Sequence, residues 1–266
     1  MDAAHDTEYD LDLAAALRSA APAVPADWRV GVRAQCVSTN SELLAQADDV
    51  PAALFALEQT HGRGRRGRDW ASRPGDSLTF SLHYRFGCRA AALSGLSLAV
   101  GVALADALST QGTDGIALKW PNDLMRHGGK LGGVLIELAS APAGATSAVI
   151  GVGINLAPPP LGEYAHPPAS LCAATPARAD WLRTGAALLD ALARALPYFA
   201  AHGFEGFVDR WNGYNLHAGR RVNILGERRP LAGICLGADR DGALLLDDGG
   251  RIERVLSGDV SLRASD

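Results

Sequence analysis

The chain has 266 residues, 48% of them hydrophobic and 20% charged, enough for a full core and against global disorder. Its 25 basic and 29 acidic residues leave a net charge of −4, which excludes retention on nucleic acid by bulk charge alone. No apolar run approaches the roughly 20 residues of a membrane span, so no membrane partner is expected. The opening Met1-Asp2-Ala3-Ala4-His5-Asp6 lacks the basic and apolar regions of a signal peptide. Cys36, Cys88, Cys172 and Cys235 are far apart and form no CxxC, which points to reduced thiols, a cytoplasmic location and no zinc site.

In chain order, residues 1–27 form an N-terminal extension with one short helix, Leu11 to Ser19, closed off by Pro22 and Pro25. A strand reads from Arg29 to Val37, and Thr39 with Glu42 has the spacing of a capping box at the start of a helix. Ala53 to Glu58 is a short apolar strand, followed by a glycine-rich polar loop to about Asp76. Ser77 to Tyr84 alternates Leu78, Phe80, Leu82 and Tyr84, the pattern of a strand with one buried face. Ala91 to Thr110 is a long buried helix, followed by strands at Ile116–Trp120, Lys130–Leu138 and Ala148–Leu156. A Pro-rich connection, 157–170, precedes helices Asp180–Phe199 and Phe204–Asn212. Beyond Leu216 come five short strands, Arg220–Leu225, Leu231–Leu236, Ala243–Leu246, Arg251–Val255 and Val260–Arg263. Gly226-Glu227, Asp241-Gly242 and Asp247-Asp248-Gly249-Gly250 supply turns between them, which suggests a small barrel. The reading is a mixed α+β domain over 28–216 and a small β domain over 217–266.

Of the 25 basic residues only Lys119 and Lys130 are lysines. Where arginine serves nearly everywhere, these two positions call for a compact ammonium, and their segment is the first place to look for chemistry. The turn Pro121-Asn122-Asp123 lies between them, and a hairpin connection would bring both lysines to one end of a sheet. Lysine clamps a carboxylate or phosphate, and Asp123 can hold the Mg2+ that accompanies ATP. Gly132-Gly133 would leave a strand face bare for a ligand.

Upstream, Gly62-Arg63-Gly64-Arg65-Arg66-Gly67-Arg68 packs four arginines into six residues, so the loop is expected to be disordered until an anion organises it. Its glycines let the backbone close around that anion, and Trp70 adds a flat face suited to a base. The common nucleotide motifs fail. Gly128-Gly129-Lys130-Leu131 lacks the Ser or Thr of a P-loop, and Gly151-Val152-Gly153 lacks the third glycine of a dinucleotide fingerprint.

Ser38-Thr39-Asn40, Gln59 with the Arg/Gly loop, Lys119-Trp120-Pro121-Asn122-Asp123, Lys130-Leu131-Gly132-Gly133 and Gly151-Val152-Gly153-Ile154-Asn155 together resemble the ordered motifs of biotin protein ligases. The resemblance spans about 28–265. It implies a class II aminoacyl-tRNA synthetase/biotin ligase-like mixed sheet flanked by helices, plus a C-terminal SH3-like β-barrel. It also implies a two-step reaction, in which biotin and MgATP give biotinyl-5′-AMP and a lysine of the biotin carboxyl carrier protein of acetyl-CoA carboxylase accepts the biotinyl group. Ser38, Thr39, Asn40, Gln59, Gly62, Arg63, Gly64, Arg65, Lys130, Gly132 and Gly133 would bind biotin. Arg65, Arg66, Arg68, Trp70, Lys119, Asn122, Asp123, Asn155 and Arg263 would bind ATP or its metal, with Lys130 and Arg65 catalytic. A homodimer is common among the proteins resembled.

Many of those ligases carry an N-terminal DNA-binding domain of about 60 residues; 27 residues before the first strand do not make one, so no DNA partner or repressor role is expected. Three other readings compete. A lipoate ligase or octanoyltransferase would share the core fold, a nucleic-acid-binding protein would use the Arg/Gly loop, and a biotin sensor would bind without ATP.

Overall fold

The computed structural model describes residues 9–46, 50–159, 164, 167–172, 178–225, 231–256 and 261–264. Helix α1 (Leu11–Ala20) precedes strand β1 (Arg29–Cys36), helix α2 (Thr39–Gln46) and strand β2 (Ala52–Gln59). A short hairpin, β3 (Gly62–Arg63) and β4 (Asp69–Trp70), leads to the long strand β5 (Ser77–Phe86) and helix α3 (Leu96–Thr110). Strands β6 (Ile116–Lys119), β7 (Asp123–Arg126), β8 (Gly129–Ser140) and β9 (Thr146–Asn155) follow, then helices α4 (Arg178–His202) and α5 (Val208–Tyr214). The seven-stranded sheet runs β1-β2-β5-β9-β8-β7-β6, with only β1 and β2 parallel. This is the expected α+β mixed sheet flanked by helices.

A second, antiparallel sheet is built from β10 (Arg221–Leu225), β11 (Leu231–Ala238), β12 (Leu244–Asp247), β13 (Ile252–Val255) and β14 (Ser261–Ala264). Its order, β13-β12-β11-β10-β14, uses the five strands read for the small β domain. The expected turn at Gly226-Glu227 lies outside the described residues, as do residues 1–8 and most of the Pro-rich connection.

Helices α1, α3 and α4 cover one face of the large sheet, where Phe55, Phe80, Val102, Leu104 and Leu189 are fully buried. Each such side chain contributes about 1.5–3 kcal/mol by leaving water. One expectation is corrected here: an apolar run of membrane-spanning length does occur, at Ala90–Thr110, and most of it is buried in this core. Its α-helix starts only at Leu96 because Gly95 takes a left-handed conformation (φ 77°) with Phe204 against its Cα; a Cβ there would sit 2.6 Å from that ring. Helix α2 covers part of the other face, on β2, β5 and β9, with a small cluster of Leu43, Ala52, Leu54 and Val149 beneath it.

The described part of the N-terminal extension packs on the large domain: Leu13, Ala14 and Leu17 of α1 are buried in the main core, and Tyr9 pairs with Arg33. Three further local expectations are corrected. First, the capping box does not form, because tertiary partners take both side chains. Thr39 is already helical with its hydroxyl facing Gln59 and Ser81, and the Glu42 carboxylate accepts from Arg33 Nε at 3.3 Å. Second, β5 is buried on both faces over most of its length. Third, the segment between the two lysines holds an extra strand, β7, whose sequence Asp123-Leu124-Met125-Arg126 is too short to show periodicity.

Candidate active site

Alternation along three central strands decides which residues face the site. On β5, Leu78, Phe80 and Leu82 enter the main core and leave Thr79, Ser81 and His83 on the opposite face. On β9, Ile150, Val152 and Ile154 enter the core and leave Gly151, Gly153 and Asn155 opposite. On β8, Val134 enters the core, with Gly133, Leu135 and Glu137 on the far face. A cavity of about 410 Å3 lies against this second face, bounded by the start of α2, the β3–β4 hairpin and the Lys119–Asp123 segment.

One end of the cavity is neutral, polar and buried. Ser38, Thr39 and Asn40 are each under 5% exposed, and Ser81 is fully buried. Thr39 N donates to Gln59 Oε1 at 2.8 Å, Thr39 Oγ1 lies 2.6 Å from Ser81 Oγ, and Ser81 Oγ donates to Asn40 Oδ1 at 2.5 Å. Asn40 Nδ2 donates to Glu137 Oε2 at 2.8 Å. Buried hydroxyls and amides are costly unless bonded, and here each holds the next in place. Gly151 makes room for this network: a Cβ there would stand 2.4 Å from Asn40 Oδ1.

The other end is cationic. Six cations line the cavity (Arg63, Arg65, Arg66, Arg68, Lys119 and Lys130) against the carboxylates of Asp69 and Asp123, a surplus suited to an anionic ligand. Lys130 does not sit beside Lys119 across a simple hairpin. It pairs with Met125 near the β7–β8 turn and sends its side chain back to Asp123, Nζ to Oδ1 at 2.6 Å. Asn122 donates to Val134 O at 2.7 Å and accepts from Arg65 Nη1 at 3.2 Å. Asn155 donates to Ala169 O at 2.9 Å and to Lys130 O at 3.3 Å, which fixes the backbone that carries Lys130.

The Arg/Gly segment folds as a tight hairpin, with Gly62 opposite Trp70 and Arg63 opposite Asp69. Arg66 occupies its turn at φ 59°, and Arg63 forms an ion pair with Glu137 at 2.7 Å. The Trp70 indole lies directly over Gly153, where a Cβ would approach Cε2 to 2.4 Å. Its Nε1 is buried and meets no acceptor among the described residues, so an unused donor faces this end of the site. Behind Lys119 lies His217, also buried. Among the described residues neither ring nitrogen has a hydrogen-bond partner, and burial, with Lys119 and Arg220 nearby, lowers its pKa below the usual histidine value.

Of the residues expected at the site, Ser38, Thr39, Asn40, Gln59, Arg63, Gly64, Arg65, Arg66, Arg68, Trp70, Lys119, Asn122, Asp123, Lys130, Gly133 and Asn155 line the cavity. Gly132 does not: it faces β9, where a Cβ would meet Gly153 O at 2.3 Å, so its role is close strand packing. Gly62 lies behind the wall, against the Trp70 carbonyl and Gln59 Nε2. Arg263 lies on β14 opposite Asn223, and its side chain is outside the described residues. Ser81 and Glu137 were not anticipated. The signals were present, as a small polar residue on the off-face of an apolar strand and a lone acid in the run Val134–Ala139.

A buried polar end and a cationic end within one cavity suit a ligand that is uncharged and polar at one end and anionic at the other. Comparison with known proteins places the chain more closely. The sequence pattern of the biotin/lipoate A/B protein ligase family matches residues 33–155, and that of the biotin protein ligase C-terminal domain matches 217–263. The chain is 36% identical over 245 residues to the biotin--[acetyl-CoA-carboxylase] ligase of Mycobacterium tuberculosis, covering 88% of this chain and 89% of that one. It is 34% identical over 232 residues to the bifunctional ligase/repressor BirA of Escherichia coli, covering 86% of this chain and 72% of that protein. The structure of the biotin protein ligase from Aquifex aeolicus in complex with biotin and ATP superposes with a TM-score of 0.76 at 28% identity, covering 89% and 99% of the two chains. The chain belongs to the biotin protein ligase family.

Proposed function

We propose that this chain condenses biotin with ATP to biotinyl-5′-AMP and passes the biotinyl group to a lysine of the biotin carboxyl carrier protein of acetyl-CoA carboxylase. The observation that carries the reading is the two-ended cavity, neutral and polar around Asn40, cationic around Lys130. Ser38, Thr39, Asn40 and Gln59 offer donors and acceptors to the ureido ring, and the cavity directs the acyl chain toward Lys130. A carboxylate and a triphosphate repel each other, and Lys130 with Arg65 supplies fixed positive charge where they meet. The carboxylate oxygen attacks the α-phosphorus and the bond to the β-phosphate breaks, releasing pyrophosphate. In the second step the carrier amine attacks the acyl carbon, AMP leaves, and the ammonium proton passes to solvent.

Trp70 stacks on the adenine, with Arg66, Arg68, Lys119 and Asn122 around the phosphates. The Mg2+ that accompanies ATP would supply further positive charge at the phosphates. Asp123 would be its protein ligand, and the ion would neutralise the departing pyrophosphate. Arg63 and Arg65 turn to Glu137 and Asn122, which supports a role in the site rather than on DNA. Four free cysteines support a reducing, cytoplasmic setting. Beyond Gly133 the β7-side edge of β8 has no strand partner among the described residues, and this supports pairing in a homodimer, to be read by sedimentation.

Pyrophosphate exchange into ATP tests the reading. Exchange that requires biotin and ignores lipoate is expected, followed by label transfer to a carrier domain. Exchange driven by lipoate would instead favour the lipoate ligase alternative, and a salt-sensitive shift of operator DNA would restore a nucleic-acid role.

A further inference from the structure

Glu137 places a carboxylate in the apolar run of β8 and joins the buried polar end of the site to the arginine hairpin. Its Oε2 accepts from Asn40 Nδ2 at 2.8 Å and from Arg63 Nη2 at 2.7 Å. Asn40 belongs to the buried polar end, whereas Arg63 opens the arginine hairpin and is 43% exposed. Beyond Asn40 the bonds continue through Ser81 to Thr39. A single chain of polar contacts, Thr39–Ser81–Asn40–Glu137–Arg63, therefore runs beneath the cavity to the hairpin.

The direction of that chain is set by chemistry. Asn40 can offer its carbonyl oxygen to Ser81 only with its amide nitrogen turned away, and the Glu137 carboxylate at 2.8 Å, with Leu135 O at 3.4 Å, holds the nitrogen there. The same Glu137 oxygen anchors the first arginine of the hairpin through a charge-assisted bond. A half-exposed ion pair is worth little by itself, so the leverage comes from sharing one acceptor between a buried amide and a lid.

We propose that Glu137 is a positioning residue that ties closure of the arginine hairpin to the orientation of the ring-binding side chains, so that a correctly seated ring orders the lid over the acyl-adenylate. This rests on the biotin ligase reading. A covered adenylate is kept from water, which links the contact to the yield of the reaction as well as to binding.

The test compares Glu137→Gln, Glu137→Asp and Arg63→Gln with the parent chain. In biotin-dependent pyrophosphate exchange, Glu137→Gln is expected to raise KM for biotin about tenfold and KM for ATP less than about threefold, because the amide keeps one acceptor oxygen but loses the charge that strengthens both bonds. Biotin should slow amide hydrogen exchange across 62–70 in the parent chain and not in Glu137→Gln, while Glu137→Asp, which keeps the charge, recovers part of both effects. Arg63→Gln cuts only the exposed arm, so it should lose the hairpin response and provides the test if Glu137→Gln fails to fold. Biotin dependence in the parent chain with unaltered biotin KM and hairpin exchange in the variants overturns this proposal alone. Exchange in the parent chain that ignores biotin overturns the underlying function instead.

Discussion

The neutral and cationic ends of the cavity are stabilised in opposite ways. At the neutral end Thr39, Asn40 and Ser81 lie on regular elements, are almost fully buried and bond one another at 2.5–2.6 Å within the protein. At the cationic end four of the six cations lie on a nine-residue hairpin with only four paired residues, and positive charge exceeds negative. The first end is preorganised by folding; the second keeps a surplus of positive charge suited to an anionic ligand. Recognition of an uncharged ring calls for rigid, prepaired donors and acceptors. Capture of a triphosphate tolerates mobility, because Coulomb attraction in a partly desolvated site supplies the ordering force.

Several substitutions would break or sharpen this contrast. The largest effect is expected at Lys130→Ala, where loss of the fixed charge between carboxylate and phosphate should lower biotin-dependent pyrophosphate exchange about 10²–10³-fold. Its urea unfolding midpoint should stay close to that of the parent chain; substantial residual exchange would remove Lys130 from the reaction. Gly153→Val should push the indole of Trp70 off β9 and raise KM for ATP about tenfold to a hundredfold, the range of a lost base stack. Biotin KM should move far less, and equal changes in both would erase the distinction between the two ends. Ser81→Ala tests the opposite end: leaving Asn40 Oδ1 without its donor should raise biotin KM about tenfold with little change for ATP.

Smaller effects are expected where the two domains meet. Trp120 Nε1 donates to Gly242 O at 3.1 Å, so the tryptophan beside Pro121 and Asn122 also braces a turn of the β domain. Trp120→Phe should destabilise the chain by about 1–2 kcal/mol in urea titration through the lost bond and volume. The depressed pKa of His217 makes the unfolded chain the better proton acceptor at mildly acid pH. Stability from this group is therefore complete above its unfolded value near 6.5 and falls as the pH drops below it. Urea midpoints at about pH 5 and about pH 7.5 should differ less in His217→Phe than in the parent chain.

The sequence made the framework legible to different depths. Alternation in Ser77–Tyr84 and the turn signals after Leu216 located strands well, because period-two hydrophobicity and Asp-Gly turns are local properties of the sequence. The strand Asp123–Arg126 was hidden by its length, and the capping box at Thr39 failed because Gln59 and Ser81, distant in sequence, claim the same hydroxyl. At the site, motif order pointed to most lining residues. It could not tell which of two adjacent glycines faces the cavity, since that depends on the register of β8 against β9. Gly133 faces Asp123 and Lys130, whereas Gly132 faces the Gly153 carbonyl. Glu137 was overlooked for a related reason: its partners Asn40 and Arg63 are 97 and 74 residues away.

Four glycines, 132, 133, 151 and 153, stand close together where β8 and β9 pair at the centre of the sheet. A β-branched residue there would strengthen the strands, and each glycine leaves the sheet about 0.5–1 kcal/mol weaker than alanine would. At 151 and 153, however, a methyl group would land on Asn40 or Trp70, and at 132 on the neighbouring carbonyl. The changes that most readily harden this sheet against heat are thus the ones that fill its binding seats. A lineage adapting to higher temperature would have to find its stability elsewhere, in the helices or the β domain, and leave the middle of the sheet soft.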